Sequence, residues 1–88
     1  MTWQVTVKRK ADKNSRLMPP KVRALFAELL LDLKYKGAEQ PEWPNYSKLN
    51  KTKYHCHLNH HYVACWTATE ETITIEVYYV GSRESAPY

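Results

Sequence analysis

Between residues 48 and 61 the chain gathers Lys48, Lys51, Lys53, His55, His57, His60 and His61, and further on it carries Arg83 and Tyr88. These are the side chains that metal-independent RNA cleavage would need. A base must take the proton from a 2′-hydroxyl, cations must hold the phosphate as negative charge builds, and an acid must protonate the leaving 5′-oxygen. Histidine serves as acid or base because its ordinary pKa of about 6.5 lies near working pH. Lysine and arginine serve as the cations, arginine where two phosphate oxygens are gripped together. If a strand runs back to Lys51, then Lys51, Lys53, His55 and His57 project from one of its faces.

Other readings of the same residues stand beside this one. His55 and His57 could simply be exposed strand residues with no task, and Arg83 could simply cap a turn beside Glu84. Zinc is a further reading, if a two-residue turn at His60-His61 sets Cys56 opposite Cys65. Cys56 and His55 fall on opposite faces of the stretch, however, so a tetrahedral ligand set is awkward. The cysteines fit better as small core residues. No glycine-rich phosphate loop, paired CxxC or HExxH motif is present, and no cofactor or metal is expected.

The elements that position these groups follow from periodicity. Trp3, Val5 and Val7 alternate with polar neighbours and predict a strand over residues 2–8. Residues 9–15 are polar and charged and read as a loop. Pro19-Pro20 suits the first turn of a helix, because a proline's missing N–H has no partner there anyway. Val22, Leu25, Phe26, Leu29, Leu30 and Leu33 then recur at helical spacing, and Gly37 should stop the helix. Pro41 and Pro44 make residues 38–47 a connector, with a turn near residues 44–49. Trp43, Tyr46 and Leu49 should pack back onto the sheet as its lid. From Lys53 the pattern returns to strands, with Tyr54, Cys56 and Leu58 on one face and Lys53, His55 and His57 on the other. Residues 62–69 and 72–80 complete a three-stranded antiparallel meander, with Ile73, Ile75, Val77 and Tyr79 facing one way. The expected fold class is therefore α+β, a small antiparallel sheet of about four strands with one main N-terminal helix on one face.

Size and charge set the limits. With 88 residues, residues 1–88 form one domain with one core. The formal net charge of +4, concentrated at Lys8 to Arg16, Lys34 with Lys36, and Lys48 to Lys53, suggests an anionic partner, nucleic acid or an acidic protein segment. No stretch has the apolar length of a membrane span, and the first residues lack a signal-peptide pattern. A cytoplasmic protein is expected, with Cys56 and Cys65 reduced.

The order Lys51-Thr52-Lys53-Tyr54-His55, then Tyr62-Val63-Ala64-Cys65-Trp66, then residues 73–80 and Gly81-Ser82-Arg83-Glu84 before Tyr88 resembles the C-terminal half of RelE toxins of the RelE/ParE superfamily. The match carries order and spacing over residues 43–88, and only the strand-then-helix plan over residues 2–37. The resemblance implies a RelE-like toxin of a type II toxin-antitoxin system, an endoribonuclease that cuts mRNA in the ribosome and is silenced by a cognate antitoxin. It implies that Lys51 and Lys53 bind phosphate or assist proton transfer, that Arg83 stabilises the transition state, and that Tyr88 stacks on a base or takes part in acid/base chemistry. The chain departs from the family at Val63, where the family carries arginine, and in the proline-shortened second helix. Taken together, His55, His57, Arg83 and Tyr88 are the candidate catalytic residues, and Lys48, Lys51, Lys53, His60 and His61 the candidate RNA-binding ones. The competing functions are a ParE-like toxin that binds and inhibits a topoisomerase, and a plain RNA-binding module.

Overall fold

The computed structural model describes residues 2–88. Its elements are β1 (Gln4–Val7), α1 (Arg9–Arg16), α2 (Pro20–Lys36), β2 (Ser47–Lys48), β3 (Lys53–His57), β4 (Tyr62–Thr69) and β5 (Thr74–Ser82), with single 3-10 turns at Glu70–Thr72 and Arg83–Ser85. The class is α+β, as expected. The five strands lie in the order β1-β5-β4-β3-β2.

The meander forms where the alternation placed it, with β3 antiparallel to β4 and β4 antiparallel to β5. The first strand does join it, but parallel to β5, with Gln4 opposite Thr74 and Val7 opposite Val77. The sheet is therefore mixed rather than antiparallel. A two-residue β2 adds a fifth strand along β3.

The expected loop over residues 9–15 is a helix, so the domain has two helices rather than one. Hydrophobic periodicity could not reveal α1 because only one of its eight residues, Ala11, is apolar. Ala11 and Ser15, one turn apart, are its buried positions. Ser15 Oγ donates to the Asp12 carbonyl at 2.7 Å, which satisfies the hydroxyl within the helix. Arg16 pairs with Asp12 at 2.7 Å in the i, i+4 arrangement that favours helix.

The helix over residues 20–36 matches its pattern: Pro20 sits in the first turn, and Val22, Phe26, Leu29 and Leu33 are buried. Gly37 ends it with φ 92°, a conformation that disfavours any side chain, and a Cβ there would lie 2.8 Å from Trp3 Nε1. The apolar stripe of α2 shares one buried cluster with Tyr54, Cys56, Trp66, Ile75, Val77 and Val80 of the sheet. Each such fully buried aliphatic side chain contributes roughly 1.5–3 kcal/mol. Trp66 is 0 % exposed, and its indole N–H donates to the Ala38 carbonyl at 3.0 Å, fastening the connector to β4.

Trp43 and Tyr46 pack against this core as the spacing predicts, while Leu49 is half-buried and lies outside it. Tyr46, Tyr54 and Trp66 stack with centroids 6.2–6.4 Å apart. The alternation expected of β5 breaks at one point. Cys65 pairs with Tyr79 and Trp66 with Val77, leaving Tyr78 as the extra residue of a bulge. Ile75, Val77 and Val80 consequently face the helices, and Tyr79 turns to the opposite face from Ile75.

Candidate functional site

One face of β3 carries the histidines, and the bulge supplies their neighbours. His55 pairs with Cys65 and His57 with Val63, so these four share the sheet face that points away from the main core cluster. Tyr79, opposite Cys65 on β5, belongs to the same face. Lys53 at the start of β3 holds its ammonium 5.4 Å from the Tyr78 ring centroid.

The connector orients both rings. Ser47 Oγ lies 2.9 Å from Nδ1 of His55, and Asn45 Nδ2 lies 3.2 Å from Nδ1 of His57. When the Asn45 amide donates, Nδ1 of His57 accepts, and the neutral imidazole carries its proton on Nε2. Asn45 adopts a positive φ of 52°, a conformation that asparagine tolerates better than most residues. The Pro44 carbonyl, just before it, accepts the backbone N–H of His57 at 2.8 Å. Asn45 and Ser47 were not recognisable from sequence, since the pairing that brings them to the histidines depends on the β2–β3 register.

The C-terminal turn completes the arrangement. Arg83 opens the 3-10 turn after β5, its backbone N–H bonded to the His61 carbonyl at 2.7 Å, which ties that turn to the β3–β4 connection. His61 and Arg83 also line one small cavity of about 200 Å³. Neither of the two ion pairs among the described residues involves Arg83, Glu84 included. Tyr88 returns over the face, its ring centroid 4.3 Å from that of His55 at a tilt of 48°. His55 is left only 8 % exposed, and the two histidine rings stand 5.8 Å apart.

These surroundings favour neutral imidazoles. Burial lowers the pKa of His55, and the neighbouring His57 lowers it further against the opposing influence of Ser47. Burial also lowers the pKa of His57, with the Arg83 guanidinium and His60 adding to the effect. Burial raises the Tyr88 phenol, and Tyr78 is pushed up to about 12. Burial pushes the thiols up as well, Cys56 to about 12 and Cys65 to about 11. Neither cysteine is thus a thiolate nucleophile near neutral pH.

The sequence-predicted residues divide into two groups. His55, His57, Lys53, Arg83 and Tyr88 come together on or beside one face. His60 and His61 are exposed in the β3–β4 connection, where Asn59 Oδ1 accepts the N–H groups of His61 and Tyr62. His60 is close enough to influence His57. Strand β3 starts at Lys53, so Lys51 lies in the turn before it and not in line with the histidines. Lys48 pairs with Tyr54 and sets its ammonium 5.5 Å from that ring, on the helix side of the sheet and away from His55. The zinc arrangement does not form: Cys56 pairs with Ala64 rather than Cys65 and faces the core. Among the described residues no three His, Cys, Asp or Glu side chains converge as a metal site, and no helix is long and apolar enough to cross a membrane.

No known family's sequence profile matches the chain, and neither does any curated protein. Solved structures do. A chain of the archaeal RelE-RelB complex of Pyrococcus horikoshii superposes with a TM-score of 0.78 at 17% identity, covering 98% of this chain and 100% of that one. Free E. coli toxin RelE, as an arginine-to-alanine mutant, gives 0.77 at 18% identity, with coverage of 98% and 88%. A chain of the YoeB-YefM complex of Staphylococcus aureus gives 0.71 at 18% identity, with coverage of 92% and 97%. At such identities the likeness is one of fold, and the fold is that of the RelE toxins.

Proposed function

We propose that this chain, a RelE-fold protein, is the toxin of a type II toxin-antitoxin pair that cuts mRNA on the ribosome and is held inactive by a cognate antitoxin. The observation that carries this reading is the convergence of two histidines held toward neutrality, an arginine without an ion-pair partner and a tyrosine on one sheet face. The solved relatives in complex with RelB or YefM support the antitoxin as partner.

His57, less buried than His55, is the base. When the Asn45 amide turns its oxygen to accept from Nδ1–H, Nε2 of His57 is left unprotonated; it takes the proton of the 2′-hydroxyl, and the freed oxygen attacks the adjacent phosphorus. Arg83 and Lys53 hold the non-bridging oxygens as charge accumulates. The bond from phosphorus to the 5′-oxygen breaks, and the Tyr88 phenol, whose raised pKa keeps it protonated beside His55, gives its proton to that oxygen and regains one from solvent. The products are a 2′,3′-cyclic phosphate and a 5′-hydroxyl. Where the family has arginine this chain has Val63, fully buried, so the clamp falls to Arg83 and the lysine.

Mapping mRNA ends by primer extension in translating extract tests the reading. Wild type should give ribosome-dependent cuts, and a folded Arg83→Ala, Tyr88→Ala double variant should not. No cuts by wild type would remove the nuclease and favour a toxin that acts by binding. Cuts by both would keep the enzyme and move the chemistry onto the lysines and histidines of residues 51–61.

A further inference from the structure

The basic cluster at Lys8 to Arg16 has no part in the site above, yet its fold places it beside that site. Arg9, Lys10 and Lys13 of α1 are exposed and join neither ion pair among the described residues. Helix α1 lies against β5. Between α1 and the C-terminal turn run two adjoining cavities of about 430 and 320 Å³, both lined by Lys10, Asn14, Tyr79 and Ser85. The larger also touches Tyr62 and Ser82, which line as well the cavity of about 200 Å³ that holds His61 and Arg83. Three neighbouring cavities with shared walls thus form a grooved surface from Arg83 to Lys10.

Cations stand at both ends of the groove with aromatic rings between them: Arg83, with Glu84 beside it, at one end, Tyr62 and Tyr79 in the walls, Lys10 at the other. Gly81 lets Tyr79 lie across it, because a Cβ at that position would stand 2.9 Å from the tyrosine oxygen. The Tyr79 hydroxyl donates to the Ser82 carbonyl at 2.7 Å and fixes the ring. Fixed rings between cations suit single-stranded RNA, whose unstacked bases lie on aromatic faces while its phosphates meet lysine and arginine. An acidic peptide would use the cations and leave the tyrosines and Asn14 without a task.

We propose that this groove is a second RNA subsite, taking the single-stranded nucleotides next to the scissile phosphate, with bases on Tyr62 and Tyr79 and phosphates held by Lys10 in its lining and by the exposed Arg9 and Lys13 on the same helix outside it. The identity of the strand rests on the nuclease reading, while the binding can be measured apart from cleavage. Fluorescence anisotropy with labelled 2′-O-methyl RNA, which cannot be cut, would compare a 10-mer and a 3-mer on wild type and on the Arg9→Ala, Lys10→Ala, Lys13→Ala variant. The three side chains are exposed, and circular dichroism checks that the variant is folded.

Losing three phosphate contacts should lower the slope of log affinity against log salt by about 2 for the 10-mer. Between about 50 and 200 mM salt, wild type should then lose roughly 20-fold more affinity than the variant. The 3-mer should bind both alike. Equal 10-mer binding and slope in the two proteins would overturn the proposal, as would an equal loss for the 3-mer. So would a loss seen only with an oligoglutamate peptide, or a wild type that binds neither RNA. Absence of mRNA cuts in extract, with the 10-mer result intact, would remove the nuclease reading and leave the subsite standing.

Discussion

Replacing Tyr88 with alanine should uncover His55 and change both its titration and the stability of the fold. The two rings lie 4.3 Å apart, and burial is the main reason that the His55 pKa stands below 6.5. Removing the phenol lets water in and should raise that pKa toward its ordinary value. His57, the other ionisable ring against His55, remains and keeps part of the lowering, and Ser47 continues to oppose it. A tilted aromatic contact of this kind adds about 0.5–1.5 kcal/mol. Because Tyr88 is 53 % exposed, the low end applies, and about 0.5 kcal/mol corresponds to a Tm lower by about 2–4 °C in a domain of this size. The pH dependence follows from the sign of the shift. With folded pKa values below the unfolded 6.5, the two histidines contribute stability that is fully present above about 6.5. It is lost as pH falls from there through the folded values. The variant should show a shallower loss. NMR titration of the imidazole C–H signals, with thermal unfolding at several pH values, measures both effects. A His55 pKa that stays put or moves down in the variant would refute the reasoning.

Asn45→Asp places a carboxylate where the amide now sits, 3.2 Å from Nδ1 of His57; it should raise the His57 pKa and move any pH optimum of cleavage upward, and an unchanged His57 titration would show that the contact does not form. Trp66→Phe removes the indole N–H from the buried Ala38 carbonyl and leaves a small void. Together these should cost about 2–4 kcal/mol in denaturant unfolding, and a loss under about 1 kcal/mol would mean that the connector is held by other contacts.

What the sequence made legible is what period and punctuation encode. The stripe from Val22 to Leu33, its proline start and its glycine stop were readable, and so was the meander that puts His55 and His57 on one face. Helix α1 was not, because a helix that buries only an alanine and a serine has no apolar stripe to detect. The parallel partnership of β1 depends on a pairing across nearly the whole chain, which no local pattern expresses. The bulge at Tyr78 hid the orientation of Tyr79, since one extra residue reverses every later side chain. In the candidate site the reactive side chains announced themselves by type, whereas Asn45 and Ser47 looked like ordinary connector residues until register brought them to the rings. Lys48 shows the converse: its type fitted the site, and its register carried it to the other side of the sheet.

The parallel pairing of β1 with β5 also sets an order of assembly. The turns of the meander join partners a few residues apart, His57 with Val63 and Thr69 with Thr74, whereas closing β1 onto β5 joins Gln4 with Thr74. If the intervening chain is flexible, the longer closure costs about 2 kcal/mol more in entropy. The meander can therefore form from local contacts, and β1 with α1 is expected to dock afterwards. Hydrogen exchange should record that hierarchy, with the β1 amides opening more readily than those of β4. On that order the histidine face should belong to the persistent part of the molecule, and the groove beside α1 should form only once β1 and α1 have docked on β5.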